Sequence, residues 1–312
     1  MELFLLHARH ASTFSITTDP SLRFAHLTTR SSPSSAAPSF PALKTLHLQH
    51  YDTEGGFTLD NTKSLIEASP NLGTLYLSNC SRFTGPIGLT SVFHLRLECC
   101  SSLPQEEVTE LIRSCRNLEV FNMWSRDSQS PDWARGARCT SNNVLRVLRN
   151  SHKESLTSLG LDFDETRWSS SAPASQDPIR TLQDFEKLEC LWINHRTVEM
   201  MGAGRPKPAS VVHILPESIK RLHLNNFPCT SSAELEQLVA AVEQGRFPNL
   251  TEVAVRQCDG ANPEPDRQAA DDWISLHDRL RGRGVNMSER LMYPMLPLSG
   301  TDPSQGDQDQ VE

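Results

Sequence analysis

Cysteine and histidine are the residues here that could ligate a metal or attack a carbonyl, and their spacing suits neither task. The eight cysteines, Cys80, Cys99, Cys100, Cys115, Cys139, Cys190, Cys229 and Cys258, contain no C-x-x-C pair and no zinc-type pairing with histidine. Cys99 and Cys100 are adjacent, so on a strand their side chains face opposite ways, which suits neither a shared metal nor an unstrained disulfide. Eleven histidines show no H-E-x-x-H spacing and read as surface or strand residues. Asp162, Asp164 and Glu165 form an acidic group that could hold a cation or face a basic partner, a solvated loop being the plainer reading. Gly202-x-Gly204 lacks the third glycine and the following helix of a nucleotide site, and no G-x-S-x-G occurs. The chain therefore reads as a non-enzyme, without catalytic residues, metal or cofactor.

Composition narrows the class further. Apolar residues make up 37%, and the mean hydropathy is -0.43, low for an ordinary globular domain. A net charge of -8 argues against a nucleic-acid binder, which would carry a basic stripe, and favours a partner with basic patches. No apolar run approaches the roughly 18 residues that cross a bilayer, so no membrane partner is expected. The opening Met1–Phe14 has no positive side chain before its short apolar run, a poor secretory signal. Reduced thiols in cytoplasm or nucleus follow as the expectation, with the sequons at Asn79, Asn249 and Asn286 unmodified.

What positions these residues is one phrase, apolar-x-x-apolar-x-apolar, written eight times. It reads Leu43/Leu46/Leu48, Leu72/Leu75/Leu77, Val92/Leu95/Leu97 and Leu118/Phe121/Met123, then Leu156/Leu159/Leu161, Leu188/Leu191/Ile193, Ile219/Leu222/Leu224 and Leu250/Val253/Val255. A phrase recurring every few dozen residues marks stacked units that share one core. Each phrase alternates at period two and predicts a strand with one inward face. Helical patterns at Asn61–Ser69, Gln105–Cys115, Asn142–Asn150 and Ser231–Gln244, the last capped by Ser232, fill several intervals. Insertions fall at Ser125–Cys139 and Glu165–Asp177. The predicted organisation is an irregular segment over 1–40, with Leu22/Ala25/Leu27 as a degraded phrase, then the repeat domain over 41–293. A helix at Asp266–Arg283 and a short strand at Val285/Met287 close the domain, and a polar tail covers 294–312.

Between the inward apolar positions lie outward ones. The central outward column is His47, Tyr76, Arg96, Asn122, Gly160, Trp192, His223 and Ala254, with Gln49, Ser78, Glu98, Trp124, Asp162, Asn194, Asn225 and Arg256 beside it. Tyr, Trp and Arg are enriched where protein partners bind, each worth ~2 kcal/mol or more. Tyr76, Arg96, Trp124, Asp162, Trp192, His223 and Arg256 are the contact candidates. The plainer reading has the aromatics merely covering hydrophobic neighbours.

Leu72-x-x-Leu75-x-Leu77-x-x-Cys80, with Val92…Cys100 and Leu250…Cys258, resembles the leucine-rich repeat, and Leu111-x-x-x-Cys115-x-x-Leu118 is similar to the helix ending of its cysteine-containing subclass. The resemblance implies an α/β horseshoe of about eight irregular strand-helix units with a parallel sheet on the concave face. Cysteines at these places fill small buried gaps. The phrases start 20 to 38 residues apart; this irregularity and the Pro- and Ser-rich loops look like the fungal F-box members of the group. Those proteins hold a target for ubiquitination on the horseshoe and a Skp-family adaptor on an upstream three-helix F-box. No F-box is recognisable: the L-P-x-E at Leu103–Glu106 reads as the start of a repeat helix, and Met1–Phe40 holds no such module. A stand-alone leucine-rich-repeat scaffold or regulator without a ubiquitin role is the alternative.

Overall fold

Every phrase ends in a strand, and the strands pair in chain order. The computed structural model describes residues 10–18, 39–50, 56–100, 103–125, 139–163, 181–194, 210–227, 232–257 and 267–288. One parallel sheet of 10 strands runs through them: β1 (Thr13–Thr18), β2 (Thr45–His50), β4 (Thr74–Ser78), β6 (His94–Glu98), β7 (Val120–Ser125), β8 (Ser158–Phe163), β9 (Cys190–Asn194), β10 (Arg221–Phe227), β11 (Glu252–Gln257) and β12 (Asn286–Ser288). A second, two-stranded sheet joins β3 (Phe57–Thr58) to β5 (Cys80–Arg82). The fold class is α/β.

The register shows why each phrase holds its place. The second apolar residues form one row, Leu46, Leu75, Leu95, Phe121, Leu159, Leu191, Leu222 and Val253, and the third form another from Leu48 to Val255. Both rows are buried in one continuous apolar cluster. Because side chains alternate across a strand, a slip of one residue would turn every Leu out of that cluster, so the pattern fixes the register.

The turn into six of the strands repeats as well. The first apolar residue donates its N–H to the carbonyl three residues earlier: Leu43 to Phe40, Leu72 to Ser69, Val92 to Leu89, Leu188 to Phe185, Ile219 to Pro216 and Leu250 to Phe247. The residue before it then ties its unit to the previous one. Asn71 Nδ2 reaches Pro41 O, Ser91 Oγ reaches Leu72 O, Ser155 Oγ reaches Leu118 O and Ser218 Oγ reaches Leu188 O, each at 2.8 Å. Small polar residues suit this place because only a short side chain can reach an adjacent carbonyl.

Helices cover the apolar rows: α1 (Lys63–Glu67), α2 (Gln105–Ser114), α3 (Ser141–His152), α4 (Val211–Ile214), α5 (Ser232–Glu243) and α6 (Arg267–Arg281). Val108, Leu111 and Ile112 of α2, and Val144, Leu145 and Leu148 of α3, point inward at helical spacing. Thr140 Oγ1 caps α3 by accepting from Asn143 N at 3.3 Å. The first helix is shorter than its pattern predicts, because Leu59–Asn61 forms a 3₁₀ turn ahead of it. Among the described residues no helix is long and apolar enough to cross a membrane.

Two readings of the sequence change here. The stretch before residue 41 contributes the edge strand β1, and Ala11/Phe14/Ile16 is its phrase, with Ala11 partly buried against the core and the other two fully buried. Leu22/Ala25/Leu27, residues 126–138 and 165–177 of the two insertions, and the tail from residue 294 lie outside the described residues. So do Cys229, Cys258, Asp164, Glu165, Gly202 and Gly204.

The second change concerns His152, which is neither a surface nor a strand residue. It is buried at the end of α3, with Nε2 2.8 Å from Ile112 O and Nδ1 accepting from Leu118 N at 3.4 Å. The neutral imidazole thus joins α2, the turn before β7 and α3, and burial pulls its pKa down. Replacing His152 by Leu leaves the buried Leu118 N–H without a partner and leaves the Ile112 carbonyl with Cys115 N alone. A loss of about 1–3 kcal/mol is expected in urea denaturation; an unchanged midpoint would show that the imidazole bridge contributes nothing.

Candidate functional site

The face of the sheet opposite the helices carries the outward residues, and it is built as two rows. His47, Tyr76, Arg96, Asn122, Gly160, Trp192, His223 and Ala254 stand in register across eight strands. Gln49, Ser78, Glu98, Trp124 and Asp162 form the next row toward the strand C-termini. Asn194 and Asn225 extend it. The register shifts between Leu224 and Phe227, which takes Arg256 out of strict alignment with Asn225.

Ring contacts join the rows into a chain of side chains. His47 meets Tyr76 edge-on at 4.3 Å, and His94 meets the same ring at 5.2 Å. The Arg96 guanidinium lies between two aromatics, with Cζ 5.4 Å from the Tyr76 centroid and 4.2 Å from that of Trp124. Trp124 meets Trp192 at 6.0 Å, and Trp192 meets His223 at 5.4 Å. The chain ends where His223 Nε2 lies 3.1 Å from Glu252 Oε1.

The two indoles belong to β7 and β9 and meet across β8, which contributes no side chain in the first row because Gly160 stands there. A Cβ at Gly160 would collide with Asn122 Oδ1. Gly160→Val is expected to cost about 1–3 kcal/mol by overpacking against Asn122, read as a lower melting temperature; a melt equal to wild type would contradict this close approach.

Behind the indoles is a buried polar group. Asp162 accepts from Asn194 Nδ2 at 2.9 Å and from Asn225 Nδ2 at 2.7 Å. Three successive strands therefore hold one carboxylate by charge-assisted hydrogen bonds, each worth about 1.5–3 kcal/mol. The partners are 32 and 63 residues away in sequence.

The seven contact candidates separate by depth. Tyr76, Arg96, His223 and Arg256 are partly exposed. Trp124 and Trp192 are each 2% exposed, and Asp162 is buried. The expectation that outward meant exposed is corrected for these three. Bulky neighbours on adjacent strands cover one another, so the tryptophans form the floor of this face, separate from the main apolar cluster.

Burial sets the titration behaviour. His47 is pulled down by burial and then by the Arg96 charge, and His223 by burial against the opposing pull of Glu252. Tyr76 is pushed up by burial. His94 is pulled down from 6.5 to about 4, first by burial, then by Arg96 and His47. Between those two values the unfolded chain binds more protons than the folded one. Stability is full above about pH 6.5 and declines as the pH falls toward 4, by about 3 kcal/mol for His94 alone. Urea midpoints that stay level from neutral pH to about pH 5 would contradict this.

The cysteines at repeat positions are packing residues. Cys80, Cys100 and Cys115 are buried free thiols, with burial pushing Cys100 and Cys115 up to about 12 and Cys80 well above its ordinary value. Among the described residues no cluster of histidine, cysteine and carboxylate could hold a metal ion.

No family model matches the chain, and no curated protein matches it.

Proposed function

We propose that the chain is a protein-interaction module of the leucine-rich-repeat type. In this reading the helix-free face of the sheet is the concave wall of a horseshoe, and it holds a target protein for an F-box-like ubiquitin ligase. The observation that carries the reading is the in-register outward row, in which Arg96 is wedged between Tyr76 and Trp124 over a buried aromatic floor. Partly exposed Tyr and Arg on a rigid, desolvated base are what protein hot spots are made of. Repeating turns, in-register Leu rows and buried repeat cysteines support the repeat class.

Affinity purification of the tagged protein, read by mass spectrometry, tests the ubiquitin part. Co-recovery of a Skp-family adaptor and a cullin is expected. Their absence beside another stoichiometric partner would favour the alternative, a stand-alone scaffold or regulator. One observation leans that way: Thr13–Thr18 is a strand of the sheet, so that part of Met1–Phe40 belongs to the stack and not to an adaptor-binding helix.

A further inference from the structure

Three basic side chains crowd one tyrosine at the β2–β6 end of the helix-free face. The His47 ring is 4.3 Å and the His94 ring 5.2 Å from the Tyr76 ring, and Arg96 Cζ is 5.4 Å from it. Among the described residues one carboxylate answers them, Glu98, 3.2 Å from Arg96 with 37% of its side chain exposed. The register neighbours on the packed strands are uncharged: Gln49 on β2, Thr74 and Ser78 on β4, and Val120, Asn122 and Trp124 on β7. This clustering runs against a chain whose net charge is -8. His94 is 4% exposed, and its Nε2 is enclosed with no hydrogen-bond partner among the described residues. An enclosed nitrogen of that kind costs stability, and rules of this sort are broken mainly at functional sites. Burial and Arg96 oppose protonation of His47, and a negative charge supplied from outside beside Arg96 would favour it.

We propose that His47, Tyr76, His94 and Arg96 form a receptor for an oxyanionic side chain of the bound protein, either a phosphorylated residue or a Glu/Asp carboxylate. Arg96 supplies the fork. One of its N–H groups is on Glu98, and others remain for two oxygens. Stacking between Tyr76 and Trp124 holds the guanidinium in place before the anion arrives. The Tyr76 hydroxyl and the partly exposed His47 imidazole add donors, while the buried His94 ring packs edge-on against Tyr76 and holds it in place. Because the rest of the chain is acidic, this cluster also decides where on the face an acidic segment settles. The inference rests on the reading of this face as protein-binding, yet inorganic phosphate tests it without any partner.

The test follows the imidazole signals of the whole chain by NMR from about pH 8 to about pH 5. Chloride, phosphate and acetate are compared at equal ionic strength, with a His47→Gln variant to assign His47. Phosphate should raise the His47 midpoint by about one pH unit over chloride, and Arg96→Gln should cancel that rise. A rise in phosphate alone assigns the site to phosphorylated residues; a rise in acetate assigns it to carboxylates. Equal midpoints in all three salts would overturn the proposal, even if a protein still bound this face through other contacts. Should Arg96→Gln fail to fold, the wild-type comparison decides by itself.

Discussion

Replacing Leu159 by Asp is expected to abolish cooperative folding. Leu159 is 1% exposed and stands between Phe121 and Leu191 in the central apolar row. The substitution deletes a buried side chain, at about 2–5 kcal/mol for changes of this kind, and sets a carboxylate among apolar neighbours, at several kcal/mol more. Together these rival the roughly 5–15 kcal/mol by which domains are stable at all. A stack shares one core, so the damage is not confined to its own unit. Leu159→Met, which conserves volume, should cost under ~1.5 kcal/mol. Urea denaturation followed by circular dichroism separates the two variants, and a wild-type-like transition for Leu159→Asp would refute the register.

The second large effect lies on the opposite face. Trp192→Ala is expected to destabilise by about 3–5 kcal/mol, because the indole is 2% exposed and packs against Trp124 and His223. The sequence alone suggests the reverse, since an outward tryptophan reads as a contact residue whose loss spares the fold. Tyr76 and Arg96 take that role instead: they are partly exposed, and their replacement should leave the melt near wild type while weakening binding. A Trp192→Ala protein that melts normally would show that the floor of this face is dispensable.

What was legible follows from physics that is local in sequence. Period-two alternation names the strands and the inward rows, because side-chain direction is fixed by the backbone. Helical spacing gives Gln105–Ser114, Ser141–His152, Ser232–Glu243 and Arg267–Arg281 to within a residue or two. Strand β1 escapes because Ala11 takes the first place of its phrase and gives a weak apolar signal. Depth on the second face escapes for another reason: period two says which way a side chain points, whereas burial depends on its neighbours two strands away. Trp124 and Trp192 cover each other from β7 and β9, and His223 of β10 packs on Trp192. The Asp162–Asn194–Asn225 group and the His152 bridge join residues 32 to 63 apart, and nothing in a single sequence marks such pairs beforehand. The one cue was the recurrence of Asn at equivalent places in β9 and β10.

The account stands or falls on whether the helix-free face holds a protein. The direct measurement is a paired purification of tagged wild type and a Tyr76→Ala/Arg96→Ala variant that melts like it, with bound proteins quantified by mass spectrometry. The account predicts that a set of stoichiometric partners is retained by wild type and lost from the variant, while any Skp-family adaptor stays on both. Identical partner sets on the two proteins would contradict it, and the row from His47 to Glu252 would then be packing alone.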